Sequence, residues 1–86
     1  MMIHTLTLLL QNEAGALVRV AGLFSARGHN IETLHVAPID DGSVSRLVIT
    51  VHGDQARLVQ ILNQLRKLVD VLEVEHTTVA DVGNAA

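Results

Sequence analysis

The chain has 86 residues and a formal charge of −3 at pH 7, and it contains no cysteine. That length supports one domain, and the missing thiols exclude disulfides, thiol catalysis and thiolate metal sites. No basic stripe is present and Phe24 is the only aromatic, so a nucleic-acid binder would lack both its electrostatic footprint and its stacking platform.

Hydrophobic residues make up 49% of the chain, nearly all of them Leu, Val, Ile and Ala. That is more apolar side chain than one small core needs, and it points to surface shared with a partner or a second copy. The start, Met1-Met2-Ile3-His4, has no basic segment leading into a long apolar run. Leu8-Leu9-Leu10 is far too short to span a membrane. The sequence reads as a soluble cytoplasmic protein.

Residues 3–10 alternate, with Leu6, Leu8 and Leu10 on one face and Thr5 and Thr7 on the other, which predicts a strand. Asn12-Glu13-Ala14-Gly15 breaks that period. Leu17, Val20, Ala21 and Phe24 then mark one face of a helix over about residues 15–27, with Leu23 and Val18 widening the stripe. Gly28 follows Arg27 as a left-handed cap behind a cation. Gly22 lies mid-helix, where it lowers propensity by about 0.8–1 kcal/mol relative to Ala, and close packing is the expected reason. A second strand runs from Asn30 to Ile39. There Glu32 shares a parity with Leu34 and Val36, which implies a bulge or two buried faces, and Pro38 suggests an edge or a strand end.

Asp40-Asp41-Gly42-Ser43 is a turn. It leads to a third strand over 44–52, with Leu47, Ile49 and Val51 on one face and Arg46, Thr50 and His52 on the other. Asp54 is a good N-cap for a second amphipathic helix over about residues 54–67, marked by Leu58, Ile61, Leu62, Leu65 and Leu68. A last strand over 69–76 would turn Leu72 and Val74 inward and Glu73 and Glu75 outward. The order β-α-β-β-α-β predicts an α+β, ferredoxin-like plait, with two helices on one face of a four-stranded antiparallel sheet.

The passage from the first strand into the first helix is the most chemically loaded place. Its N–H groups lack intrahelical acceptors and, with the helix dipole, favour a carboxylate. Gly15 permits close backbone approach. Asn12 can cap the turn or offer both a donor and an acceptor to a ligand. Taken alone, these features also describe an ordinary capped helix start. The five histidines, His4, His29, His35, His52 and His76, show no metal-ligand spacing and read as surface or strand-edge residues. Arg19 and Arg46 could bind phosphate in a small phosphatase of this fold, but Arg19 lies one turn inside the helix, which is poor geometry for that chemistry.

The run Asn12-Glu13-Ala14-Gly15-Ala16-Leu17-Val18-Arg19-Val20-Ala21-Gly22-Leu23-Phe24-Ser25-Ala26-Arg27-Gly28-His29-Asn30-Ile31-Glu32 closely resembles the ACT domain of the acetolactate synthase (acetohydroxyacid synthase) small subunit. The likeness continues through Leu34, Val36-Ala37-Pro38, Ser45-Arg46 and Gln64-Leu65-Arg66-Lys67-Leu68-Val69-Asp70-Val71. It implies an ACT domain over residues 1–77, with 78–86 as a fraying tail. The chain would be either a short single-domain subunit or the N-terminal piece of a longer one.

The resemblance further implies a non-catalytic regulatory subunit that forms a homodimer through side-by-side sheets. A branched-chain amino acid, usually valine, would sit at the dimer interface. It would meet the loop of one copy, at Asn12, Glu13, Ala14, Gly15, Ala16, Leu17 and Val18. The facing wall would be Asn30, Ile31, His35 and Ala37 of the other. The partner would be the catalytic large subunit, which would carry thiamine diphosphate, Mg²⁺ and FAD, be activated by this chain and be feedback-inhibited through it. The alternatives are a free-standing ACT sensor of a different metabolic enzyme, or a small plait-fold enzyme.

Overall fold

The computed structural model describes residues 2–13 and 15–80. The elements are β1 Met2–Gln11, α1 Ala16–Ala26, β2 Ile31–Ile39, β3 Val44–Gly53, α2 Gln55–Lys67 and β4 Val71–Ala80. The strands form one antiparallel sheet in the order β2-β3-β1-β4, so β1 and β3 are central and β2 and β4 are the edges.

Period two in β1 and β3 does what it predicts. Leu6, Leu8 and Leu10 of β1 and Leu47, Ile49 and Val51 of β3 are at most 2% exposed, with Leu6 opposite Ile49 and Leu8 opposite Leu47. They pack with Ala16, Val20 and Phe24 of α1 and with Leu58, Ile61, Leu62 and Leu65 of α2 in a single cluster, which places both helices on one face of the sheet. The expected caps are present. The Gly28 amide bonds to the Ser25 carbonyl and the His29 amide to the Phe24 carbonyl, while Gly28 takes φ 76°. These paired bonds around a left-handed glycine form a Schellman end. Asp54 caps α2 by accepting from the Ala56 amide at 2.8 Å.

The irregular parity of β2 is a bulge. Ile31 pairs with Val51 but Thr33 pairs with Thr50, leaving Glu32 as the extra residue. A second bulge corrects the reading of the last strand. Leu10 pairs with Val71 and Leu9 with Glu73, so Leu72 is the extra residue and is 50% exposed rather than inward. Val71 and Val74 pack on the core instead. β4 also starts later and ends later than expected. Val69 lies in the preceding turn and is 86% exposed. Residues 78–80, expected in the tail, belong to the strand because Met2 to His4 of β1 supply its ladder partners. The remaining tail, 81–86, lies outside the described residues.

Two other expectations change. His4 and His29 are buried, not superficial. His4 Nε2 donates to the Gly53 carbonyl at 3.1 Å, and its Nδ1 lies 2.9 Å from Thr78 Oγ1 and 3.2 Å from His76 Nε2. Gly22 is exposed, and a Cβ there would meet nothing within 4 Å, so close packing does not explain it. Among the described residues, no helix is long and apolar enough to cross a membrane, and no group of three or more His, Asp or Glu is placed to hold a metal.

Candidate functional site

The loop between β1 and α1 is clamped from two sides. The Asn12 amide donates to the Ser43 carbonyl at 2.9 Å, and Asn12 Nδ2 donates to the Gly42 carbonyl at 2.7 Å. The Asn12 side chain therefore grips the β2–β3 turn and does not cap α1. The helix start is Gly15, at φ 87° and ψ −13°, with no side-chain cap. On the other side, Arg19 reaches Asp70 through Nε at 2.6 Å, and the Gln11 amide donates to the Asp70 carbonyl. A Cβ on Gly15 would stand 3.0 Å from Arg19 Nη1. Only glycine fits this left-handed position without strain and without pushing the guanidinium away from Asp70.

Beside the clamped loop lies a small cleft of about 110 Å³, bordered by Asn12 and Glu13 and walled by Leu10, Ala16, Leu17, Val36 and Leu47. It exceeds the space of one water and falls below that of a drug-sized ligand site. Its apolar walls suit a side chain of a few carbons. In the first turn of α1, the Ala16 amide donates to Glu13 and the Arg19 amide to Gly15. Leu17 donates to no backbone acceptor outside the helix among the described residues. The cleft adjoins the exposed apolar residues Leu17, Leu34 and Val36, along the free edge of the sheet.

Asn12, Glu13, Ala16 and Leu17 of the expected loop group thus meet at one cleft, with Gly15 setting the turn. Val18 is 74% exposed and does not line it. Ala14 lies outside the described residues. Within one copy the four expected wall residues do not face the loop. Asn30 and Ile31 sit at the opposite end of the sheet, and His35 and Ala37, paired with Val48 and Arg46, lie on the face away from the helices. The β2 residue that does reach the loop is Val36, paired with buried Leu47. The signal for it was the bulge at Glu32, which sets Leu34 and Val36 on the helix side.

Asn30 borders a larger polar cleft of about 530 Å³, together with His29, Glu32, His52, Asp54 and Arg57. His29 Nε2 is buried there without a hydrogen-bond partner among the described residues. Burial holds the His29 pKa below its ordinary value, and nearby Arg57 and His4 push it the same way, against Asp54. Sequence reasoning gave His29, Asp54 and Arg57 no site role, because only the approach of the α1–β2 and β3–α2 junctions brings them together.

A βαββαβ plait with a left-handed glycine between β1 and α1 and a free β2 edge is the architecture of the ACT-domain class. Residues 6–73 match the family described as AHAS small subunit-like ACT domain, and the chain belongs to that family. It is 61% identical over 69 residues to the acetolactate synthase isozyme 3 small subunit of Escherichia coli, covering 80% of this chain and 42% of that protein. The acetolactate synthase small subunit of Haemophilus influenzae is 58% identical over the same length, with 80% and 42% covered. Among solved structures, the acetolactate synthase small subunit from Thermotoga maritima superposes with a TM-score of 0.75 at 36% identity, covering 95% of this chain and 50% of that one. The chain therefore spans half or less of the length of these relatives.

Proposed function

We propose that this chain is the effector-binding ACT domain of a regulatory acetolactate synthase subunit, and that it binds a branched-chain amino acid, valine foremost. The observation that carries the reading is the apolar cleft at the start of α1, opening onto the free β2 edge. The cleft suits an isopropyl group. The positive end of the α1 dipole suits the carboxylate.

Two copies joined antiparallel along β2 about a two-fold axis support the shared site. Such an axis brings the Asn30–Ile31 end of one β2 beside the other's β2 end at Ile39, next to the Asn12–Gly15 loop. His35 and Ala37 then flank the junction between the sheets. Valine at this junction favours one arrangement of the pair, and the catalytic large subunit reads that arrangement as feedback inhibition. Without valine the chain raises that subunit's activity. The thiamine diphosphate, Mg²⁺ and FAD are assigned to the large subunit, and catalysis with them.

Thermal melting with valine, leucine and isoleucine tests the site. A ligand at 100 times its dissociation constant stabilises by about 2.7 kcal/mol, several degrees for a domain this small. Capture of the large acetolactate synthase subunit tests the partner. An amino-acid response without that capture would favour a free-standing sensor of another enzyme.

A further inference from the structure

Asp70 holds both ends of the loop that frames the cleft. Its carbonyl accepts from the Gln11 amide at 2.8 Å, at the end of β1, and its carboxylate accepts from Arg19 Nε at 2.6 Å, in the first turns of α1. The residues between those two anchors, 12–18, are the loop and the helix start. The bulge in β4 makes this possible. From Met2 to Leu9 the β4 partners of β1 run one by one from Ala80 to Glu73, a register that would carry Asp70 past Gln11 to the level of Asn12. The extra residue Leu72 advances the pairing, so Leu10 meets Val71 and Asp70 comes level with Gln11. Bulges beside functional sites re-aim a side chain in this way.

The re-aimed carboxylate is buried, and the guanidinium it holds lies across Gly15, 3.0 Å from where a Cβ would stand. Neither Arg19 nor Asp70 borders the cleft, whereas Asn12, Glu13, Ala16 and Leu17 do. The pair therefore fixes the distance between the wall carried by α1, Ala16 and Leu17, and the wall carried by the sheet, Leu10 and Leu47.

We propose that Asp70, acting through Arg19, is the positioning residue of the effector loop and sets its affinity for the amino acid. This rests on the amino-acid reading of the cleft. A loop tied at both ends is ordered before the ligand arrives, which lowers the ordering cost of binding. Released from Asp70, the first turn of α1 samples other positions, and the apparent dissociation constant rises by the reciprocal of the fraction that stays competent. The Asn12 grip on the β2–β3 turn secures the strand side of the loop and does not hold the helix start.

Positioning has a different signature from direct contact and from plain stability. If Arg19 held the ligand's carboxylate, Asp70 would compete for it, and removing Asp70 would tighten binding. If the pair only stabilised the fold, affinity would follow stability, and Arg19→Ala, which strands a buried carboxylate, would lose more than Asp70→Ala. Positioning requires equal losses.

Titration calorimetry of valine into the chain, well below its melting temperature, tests this. Arg19→Ala and Asp70→Ala should each raise Kd about tenfold or more, and the double variant should raise it no further than either single one. Arg19→Lys keeps a cation within reach of the carboxylate and should recover most of the affinity. Thr78→Val removes the bond to His4 Nδ1 at the far end of β1, lowers stability without touching the loop, and should leave Kd within about threefold of wild type. With wild-type binding intact, unchanged or tighter binding in Asp70→Ala overturns the proposal. So do additive losses in the double variant, or a loss in Thr78→Val as large as that in Asp70→Ala. Asp70→Ala strands no buried charge, so it carries the test even if Arg19→Ala fails to fold. Failure of the wild type to bind valine, leucine or isoleucine overturns the amino-acid reading itself, and this proposal with it.

Discussion

Arg19 and Asp70 are joined through a single carboxylate oxygen, Oδ2, by Nε at 2.6 Å and Nη2 at 2.5 Å, and they differ in exposure: 48% for the arginine side chain and 8% for the aspartate. The pair locks the first turn of α1 to the corner before β4. Removing either partner should therefore not cost the same. Arg19→Ala strands a buried carboxylate and should destabilise by about 2–3 kcal/mol. Asp70→Asn frees an arginine that water already reaches, and should cost about 1 kcal/mol. The backbone bond from the Gln11 amide to the Asp70 carbonyl survives both changes. Urea unfolding of the two variants checks the asymmetry; equal losses would contradict it.

Gly22→Ala should stabilise the chain. The position is exposed and helical, and an added Cβ meets no neighbour within 4 Å. The gain is the propensity difference, about 0.8–1 kcal/mol, visible as a melting point raised by several degrees. A decrease would mean that another chain packs on this face of α1.

Acid should destabilise the fold, starting from near neutral pH. His29 and His76 both have pKa values held below the ordinary 6.5, in each case chiefly by burial, with His4 adding to both and Arg57 or Arg66 to one each. A lowered folded pKa means that the unfolded chain binds more protons below pH 6.5. The stability from keeping these rings neutral is complete above that pH and is lost as pH falls toward their folded values. Melting points should therefore fall from about pH 6.5 downward. His76→Gln should flatten the slope, because one of the two rings is gone. An unchanged slope in that variant would assign the acid sensitivity to other groups.

The elements most legible in the sequence were those with one buried face. In β1 and β3 every second residue is core, and in α2 Leu58, Ile61, Leu62 and Leu65 keep helical spacing. β4 was misread because Val69, Val71, Leu72 and Val74 satisfy either parity, and the pairing with β1 chose between them. Its length followed its partner: ten residues of β1 present a ladder that reaches Ala80. The loop was legible as a helix start bent by Gly15. Asn12 gripping Gly42, thirty positions away, was not, because only the closed β2–β3 hairpin brings that carbonyl near. His4 looked superficial for the same reason: its acceptor, Gly53, arrives on another strand.

Val36 is the residue on which the amino-acid reading can be tested most directly. It lines the cleft beside Ala16 and Leu17, yet it is 48% exposed, so a charge there can be solvated without unfolding the sheet. In Val36→Glu the new carboxylate borders the space assigned to the ligand's apolar side chain and stands near its carboxylate. Valine binding should weaken at least tenfold, equivalent to about 1.4 kcal/mol, and the stabilisation by valine in thermal melting should shrink accordingly. Thr33→Glu is the control: it adds the same charge to the same strand, but on the face away from the cleft. It should leave valine binding within about threefold of wild type, under 1 kcal/mol. Equal losses in the two variants would trace the effect to β2 as an edge or to net charge. Unimpaired binding in Val36→Glu would remove the ligand from this cleft.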